Sequence, residues 1–151
     1  MTGSKELGIS MTHIKREALL LPPIAAYARR KSFRWQRPEL QFYEYRIDLY
    51  AFSRAQNLTV AIELKLHNWR RAFQQALVYQ LCSDLVFIAV PIERISAINL
   101  NLLGEHGIGL IGVFGDHSCR QLLAASRSTV VRADYRQEYV EMLLGGLPCR
   151  N

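Results

Sequence analysis

The sequence predicts an α/β domain with a central, mixed and twisted β-sheet of about five strands that is flanked by helices. Three segments rich in aromatic and branched residues follow a helical pattern, as in an antiparallel meander. A second helical pattern then leads to a short, wholly apolar segment, which predicts a right-handed βαβ crossover. The expected element order is αβββαβ. We expect a flexible N-terminal arm at 1–10 and a single domain at 11–151.

The first half of the chain predicts one helical region and the meander. Apolar residues recur at helical spacing over Met11–Lys31, and Pro22-Pro23 either separates two short helices or kinks one helix. The predicted strands of the meander are Ser32–Arg37, Tyr43–Ser53 and Leu58–Leu66. Pro38-Glu39 ends the first strand, and a turn at 54–57 joins the other two as a hairpin.

The second half alternates helices with strands. Asn68 is a predicted N-cap for a helix that runs to about Cys82. Leu85–Val90 is apolar throughout and is followed by Pro91, as expected of a strand buried on both faces. The other predicted elements are a helix at Ile92–Glu105, a strand at Ile108–Phe114, a turn at 115–118, and a helix at Ala133–Leu144 that Gly145-Gly146 ends. The stretch from Leu122 to Val131 is ambiguous.

Composition and charge restrict the classes of function. The formal net charge is +6, which favours a polyanionic partner such as nucleic acid, or an acidic membrane surface. The cysteines are odd in number and far apart, so they predict neither a disulfide framework nor a zinc site. The first residues lack an apolar signal core, and no run of about 18 apolar residues could span a bilayer. We expect a cytoplasmic protein without a membrane partner.

The segment Leu58–Leu66, LTVAIELKL, carries charge in an unusual place. Because side chains alternate along a strand, its branched apolar residues face one side, while Glu63 and Lys65 share the other side with Ala61. If helices cover both faces of the sheet, these two charges are partly buried. Buried charges are costly unless they are paired, so they need a partner or a function.

Asp48 on the preceding strand is a candidate partner. If the two strands pair evenly across their turn, Asp48 lies opposite Glu63. Two carboxylates this close repel each other unless a cation lies between them, and Mg²⁺ binds to one or two carboxylates in this way. Lys65 could then orient or help to deprotonate a water, or offset charge on a phosphate. The alternative is a structural salt bridge of Asp48 with Arg46 or Lys65.

The following helix adds polar and basic side chains. Gln75 and Tyr79 are four residues apart and share a helix face, so Gln75 could point toward the two carboxylates. Arg70 and Arg71 begin the helix and, with Arg46, are candidates for contact with a phosphate backbone. Gln75 could also be an ordinary polar helix residue, and Tyr79 an ordinary core residue.

These motifs resemble those of a known family. The order of Asp48, then Glu63-Leu64-Lys65, then a helix with Gln75 and Tyr79 resembles the PD-(D/E)XK nuclease superfamily, which has the restriction-endonuclease-like fold. The spacing of Gln75 and Tyr79 is similar to that in its RecB-like exonuclease branch. The resemblance covers about half of the chain, roughly 17–91.

The resemblance implies roles for individual residues. Asp48, Glu63 and the backbone carbonyl of Leu64 would bind the catalytic metal. Lys65 would assist the attacking water, and Gln75 would support the site. Among weaker candidates, Tyr79 belongs to the RecB-like motif, and Glu17 and Glu39 resemble further acidic positions of the superfamily. Ile47 precedes Asp48 where the motif has proline, which makes the match less specific.

The expected function is Mg²⁺- or Mn²⁺-dependent hydrolysis of phosphodiester bonds, in DNA first and with RNA as a further substrate that the sequence allows. The alternative is a non-catalytic nucleic-acid-binding or partner-dependent module on the same fold, since a fold does not fix a function. A homodimer or a larger complex is compatible with either function.

Overall fold

The computed structural model describes residues 14–150. The expected arm at 1–10 and the start of the predicted first helix lie outside the described residues. The strands are β1 (Trp35–Phe42), β2 (Tyr45–Ser53), β3 (Leu58–Leu64), β4 (Leu85–Pro91), β5 (Gly109–Val113) and β6 (Cys119–Leu123). The α-helices are α1 (Leu21–Arg30), α2 (Trp69–Tyr79), α3 (Leu100–Glu105) and α4 (Ala133–Leu144), and 3₁₀ helices cover Glu17–Leu20 and Ile92–Ala97.

In the described part of the chain, the strands form one mixed six-stranded sheet in the order β1-β2-β3-β4-β5-β6. The first three strands are antiparallel, β3, β4 and β5 are parallel, and β6 returns antiparallel to β5. The predicted α/β class, the meander and the βαβ unit are therefore confirmed. The predicted number of strands was wrong, because β6 was missed. Its sequence, CRQLL, lacks an apolar run, since β6 is an edge strand and none of its residues is fully buried.

Helices cover both faces of this sheet. α1 packs on the face that carries Leu49, Ile62 and Ile111. α2 and α4 pack on the other face, where Tyr50 and Ala61 belong to the core. The side chains of β3 alternate between the two faces, as predicted, and each face contributes to an apolar layer, while β4 is buried along almost its whole length. The face of β3 that carries Ala61 and Glu63 therefore lies under α2.

The two proline signals have different outcomes. Pro22-Pro23 does not interrupt α1 but occupies its first turn, where a missing N–H group has no intrahelical acceptor to lose. The sequence allowed either two short helices or one kinked helix, and the structure has two short helices, the 3₁₀ helix Glu17–Leu20 and then α1. Pro38 does not end β1, which continues to Phe42. The prediction was wrong there because β1 is an edge strand, and an edge position tolerates a residue that cannot donate to a neighbouring strand.

Several predicted boundaries shift by a few residues. β2 begins at Tyr45 because Tyr43-Glu44 forms the hairpin turn, with Tyr43 at a φ of 55°. β3 ends two residues earlier than predicted, and α2 ends before Cys82. The predicted helix at Ile92–Glu105 is instead a 3₁₀ helix followed by α3. Asn68 caps α2 as predicted, with its side chain accepting a hydrogen bond from the Arg71 N–H group. No helix between residues 14 and 150 is long and apolar enough to cross a bilayer.

Asp84 is buried at the end of the sheet where β3 and β4 begin. Its side chain is only 4% exposed, and its Oδ2 atom accepts hydrogen bonds from the N–H and hydroxyl groups of Thr59, at 2.8 and 3.0 Å. Arg136 on α4 donates a third hydrogen bond to the same oxygen, at 2.8 Å. The carboxylate is thus paired with a cation, and its Oδ2 atom accepts three hydrogen bonds, which compensates the burial of its charge.

Because the guanidinium of Arg136 compensates a buried charge, Arg136→Met should lower the free energy of unfolding by about 3 kcal/mol. Denaturation by urea, followed by circular dichroism, measures the change. Arg132→Met is the matched control, since the Arg132 side chain makes surface contacts, an exposed ion pair with Asp134 and a cation–π contact with Tyr135, and its loss should change stability by less than about 1 kcal/mol. Equal losses in the two variants would contradict the role assigned to Asp84.

Candidate active site

The β2–β3 hairpin brings two carboxyl groups together. The register runs from Ser53 opposite Leu58 to Leu49 opposite Ile62, as the sequence predicted. One step further, this register sets Asp48 beside Glu63. Asp48 Oδ2 accepts a hydrogen bond of 2.8 Å from the N–H group of Leu64, which fixes the carboxyl group of Asp48 against the end of β3.

Glu63 is held from two sides. It is 3% exposed, although its side chain is ionisable. The Tyr79 hydroxyl donates a hydrogen bond of 2.9 Å to Glu63 Oε1, and Lys65 Nζ lies 3.7 Å from Glu63 Oε2. Lys65 lies just past the end of β3, where its backbone N–H group bonds to the Ala89 carbonyl at 3.0 Å. Tyr79 and Lys65 therefore determine the orientation of the Glu63 carboxyl group.

Burial makes ionisation of this pair costly. It raises the pKa of the Glu63 carboxyl to about 8, and the negative charge of Asp48 acts in the same direction. The Tyr79 hydroxyl and the Lys65 ammonium oppose the shift without cancelling it. Burial also raises the pKa of Asp48, against the hydrogen bond from Leu64 and the charge of Lys65. At neutral pH the pair therefore retains a proton unless a cation takes its place.

The carboxyl pair lies in a cleft of about 410 Å³. Gln75 and Glu17 also line this cleft. Gln75 Oε1 is buried and has no hydrogen-bond partner among the described residues, which is rare for a polar atom inside a folded protein. Glu17 Oε2 accepts a hydrogen bond of 3.1 Å from the Leu66 N–H group, so this carboxylate helps to hold the chain that follows β3.

The other residues predicted for the site have different positions. Arg46 and Arg71 line the cleft. Arg70 does not, because its guanidinium stacks on the ring of Trp69, with the Cζ atom 4.7 Å from the centroid. Glu39 is exposed and lies 3.4 Å from Arg46, so it is part of a surface ion pair rather than the cleft.

The ion pairs decide the alternative reading of Asp48. Arg46 pairs with Glu39 and Lys65 pairs with Glu63, and no salt bridge of Asp48 occurs within residues 14–150. Glu63 is buried to a similar degree as Asp84, but Asp84 is paired with Arg136 at 2.8 Å, whereas Lys65 Nζ lies 3.7 Å from Glu63. Asp48 is half-buried beside Glu63. The carboxyl pair is the buried acidic group whose charge the described fold leaves least compensated.

Three residues that line the cleft, Glu44, Tyr45 and Gln74, were not predicted. Glu44 and Tyr45 line it because the β1–β2 hairpin turns at Tyr43-Glu44, beside the end of β3. The Tyr45 ring also packs edge-on against the ring of Tyr79, with the centroids 6.3 Å apart. A correct placement of the hairpin turn would have found Glu44 and Tyr45, but the aromatic run around 42–45 hides it.

The donors in the cleft fit a hard divalent cation better than zinc. Among the described residues, no three His, Cys, Asp or Glu side chains converge as a metal site. Zinc sites use four protein ligands, or three and a water, often with nitrogen or sulfur donors. Mg²⁺ instead uses one or two carboxylates and keeps several waters. Asp48 and Glu63 supply this number of carboxylates, and the unpartnered Gln75 Oε1 is an acceptor for a water beside them.

Comparisons with known proteins concern the fold alone. No family model matches the sequence, and a comparison with curated proteins finds no match either. A solved structure of a protein of unknown function from Silicibacter pomeroyi is similar, with a TM-score of 0.68. The likeness covers 87% of this chain and 86% of that chain, at 17% sequence identity. It supports the α/β architecture of nearly the whole chain.

Because the folded state favours protonated Glu63, the contribution of Glu63 to the stability of the metal-free protein should be fully present below its ordinary pKa of 4.5 and should be lost as the pH rises toward about 8. Glu63→Gln cannot ionise at this position, so its stability should fall much less over the same range. Urea denaturation with a chelator at pH 5, 6.5 and 8 measures both slopes. The control is Glu105→Gln, which alters an exposed carboxylate and should keep the slope of the wild type. Parallel slopes for the wild type and Glu63→Gln would contradict the electrostatics described here.

Proposed function

We propose that the protein is a Mg²⁺- or Mn²⁺-dependent nuclease with a restriction-endonuclease-like fold, which hydrolyses phosphodiester bonds in DNA. The observation that carries this proposal is the buried pair of Asp48 and Glu63 with Lys65 Nζ 3.7 Å from Glu63. The element order supports it, because a helix, an antiparallel meander, a helix and a parallel strand follow one another as in the PD-(D/E)XK superfamily.

In this proposal the metal ligands are Asp48, Glu63 and the backbone carbonyl of Leu64. A divalent cation bound there would offset the negative charge that develops on the phosphate. The unfavourable ionisation of the two buried carboxyl groups supports this assignment, since the cation would stabilise their charged forms. Binding of the cation should therefore release a proton from the pair.

The chain's own side chains would position the remaining groups. The Tyr79 hydroxyl keeps one oxygen of Glu63 hydrogen-bonded and leaves the other toward Lys65. The Lys65 ammonium can donate a hydrogen bond to the attacking water or to a phosphate oxygen. Gln75 Oε1 can accept a hydrogen bond from that water and so restrict its orientation. An ordered water costs little entropy when its partners are held in place in this way.

Phosphate groups have basic contacts at the cleft. Arg46 and Arg71 line it, and both side chains are exposed to solvent. The net charge of +6 supplies a favourable long-range field for a polyanion. These features bind a phosphate backbone rather than particular bases, so they favour DNA without strong sequence selection and also allow RNA.

The test is cleavage of linear duplex, single-stranded and branched DNA with Mn²⁺ or Mg²⁺. The wild type should cut at least one substrate, and Glu63→Gln and Lys65→Met should each lower the rate roughly 100-fold or more. Lys31→Met is the matched control. Lys31 lies on the far side of the sheet beside Tyr27, so this variant should cleave DNA like the wild type. Salt-dependent DNA binding without cutting by any variant would favour the non-catalytic or partner-dependent module.

A further inference from the structure

Basic side chains lie on both sides of the carboxyl pair, along the end of the sheet where β3 and β4 end. Arg46 is near the start of β2, Lys65 follows the end of β3, and Arg94 follows the end of β4. β2 runs antiparallel to β3, and β4 runs parallel to β3, so all three positions lie at the same end of the sheet. Neighbouring strands are about 4.8 Å apart, so β2, which carries Asp48, and β4 are separated by about 10 Å, and Glu63 lies between them on β3.

The surface between these side chains is a series of adjoining depressions. Lys65 lines both the central cleft and a second depression of about 110 Å³. Arg94 and His67 line this second depression and also a third, of about 410 Å³, to which Lys15 contributes. The shared residues make the three depressions neighbours, and each has at least one basic side chain. The carboxyl pair lies in the first of these depressions, whose lining extends past the pair to Tyr45 and Arg46 on β2.

This arrangement matches a strand that continues on both sides of the reacting phosphate. Each phosphate of a polynucleotide carries a negative charge, and a basic side chain that contacts it releases a counterion. A site specialised for chain ends needs such contacts on one side of the reacting bond only. Here, Arg46 lies on β2, on one side of Glu63, while Arg94 follows β4 on the other side and lines a depression together with His67.

We infer that a continuous polynucleotide strand crosses this groove, so the protein cleaves internal phosphodiester bonds and needs no free end. This inference rests on the proposed nuclease function and specifies its class of substrate. The Arg46 and Arg94 side chains contact phosphates on opposite sides of the bond that is cut.

The direct test compares covalently closed circles with linear molecules of the same sequence, as single strands and as relaxed duplexes, in Mn²⁺. Circles should be opened at rates within about threefold of the cutting of the linear forms. Cutting of linear DNA alone, from its ends, would overturn the inference and leave the proposed nuclease function intact. If neither form is cut, the nuclease function fails, and the inference about cleavage fails with it.

A binding measurement tests the path of the strand independently of cleavage. In the Glu63→Gln background, a fluorescent circular single strand should bind within threefold as tightly as its linear form. Adding Arg46→Gln or Arg94→Gln should weaken binding about three- to tenfold and lower the salt dependence by about one phosphate contact. Arg54→Gln is the control, since Arg54 lies in the β2–β3 turn at the opposite end of these strands, and this substitution should have no effect. Loss of binding to circles, or an effect of Arg46→Gln without one of Arg94→Gln, would overturn the crossing path.

Discussion

The structure of the candidate site depends on one constraint, which is that the carboxyl groups of Asp48 and Glu63 face each other in a largely buried place. In such a place, a negative charge on one carboxyl group raises the free energy of ionising the other, so the pair is stable only with a shared proton or a bound cation. The fold nevertheless surrounds both groups with donors, from the Leu64 N–H group and the Tyr79 hydroxyl. These donors keep the carboxyl groups in position but do not neutralise two charges.

A comparison within the same sheet shows that the chain can bury a carboxylate without this conflict. Asp84 has an arginine at 2.8 Å and two hydrogen bonds from Thr59. Asp84 lies at the end of the sheet where β3 and β4 begin, whereas Glu63 lies near the opposite end, where these strands stop. α4 covers the end with Asp84, and the end with Glu63 is open to solvent as a cleft. Structural and chemical uses of buried acid are thus separated along the length of the same strands.

The sequence could predict the centre of the site because local rules fix it. The alternation along β3 puts Glu63 under α2, and the short turn at 54–57 determines the register that brings Asp48 to it. The spacing of Gln75 and Tyr79 placed both on the inner side of one helix, and the bond from Tyr79 to Glu63 agrees with that spacing.

Features that depend on position within the whole sheet could not be predicted in this way. Pro38 is compatible with β1 only because β1 is an edge strand, and that position follows from the complete strand order. β6 is equally hidden, since an edge strand with polar residues has no apolar run. Arg70 and Arg71 are adjacent in sequence, yet only Arg71 lines the cleft, because Arg70 stacks on Trp69. Such choices between neighbours depend on tertiary packing rather than on residue type.

The most direct test of the account is a crystal structure of the protein soaked in Mn²⁺, with anomalous diffraction used to locate the ion. The account predicts an anomalous peak between the carboxyl groups of Asp48 and Glu63, and no peak there in crystals of Glu63→Gln grown and soaked in the same way. Wild-type crystals with no ion at this place, and with the two carboxyl groups hydrogen-bonded to each other, would contradict the claim that the pair is kept for a cation.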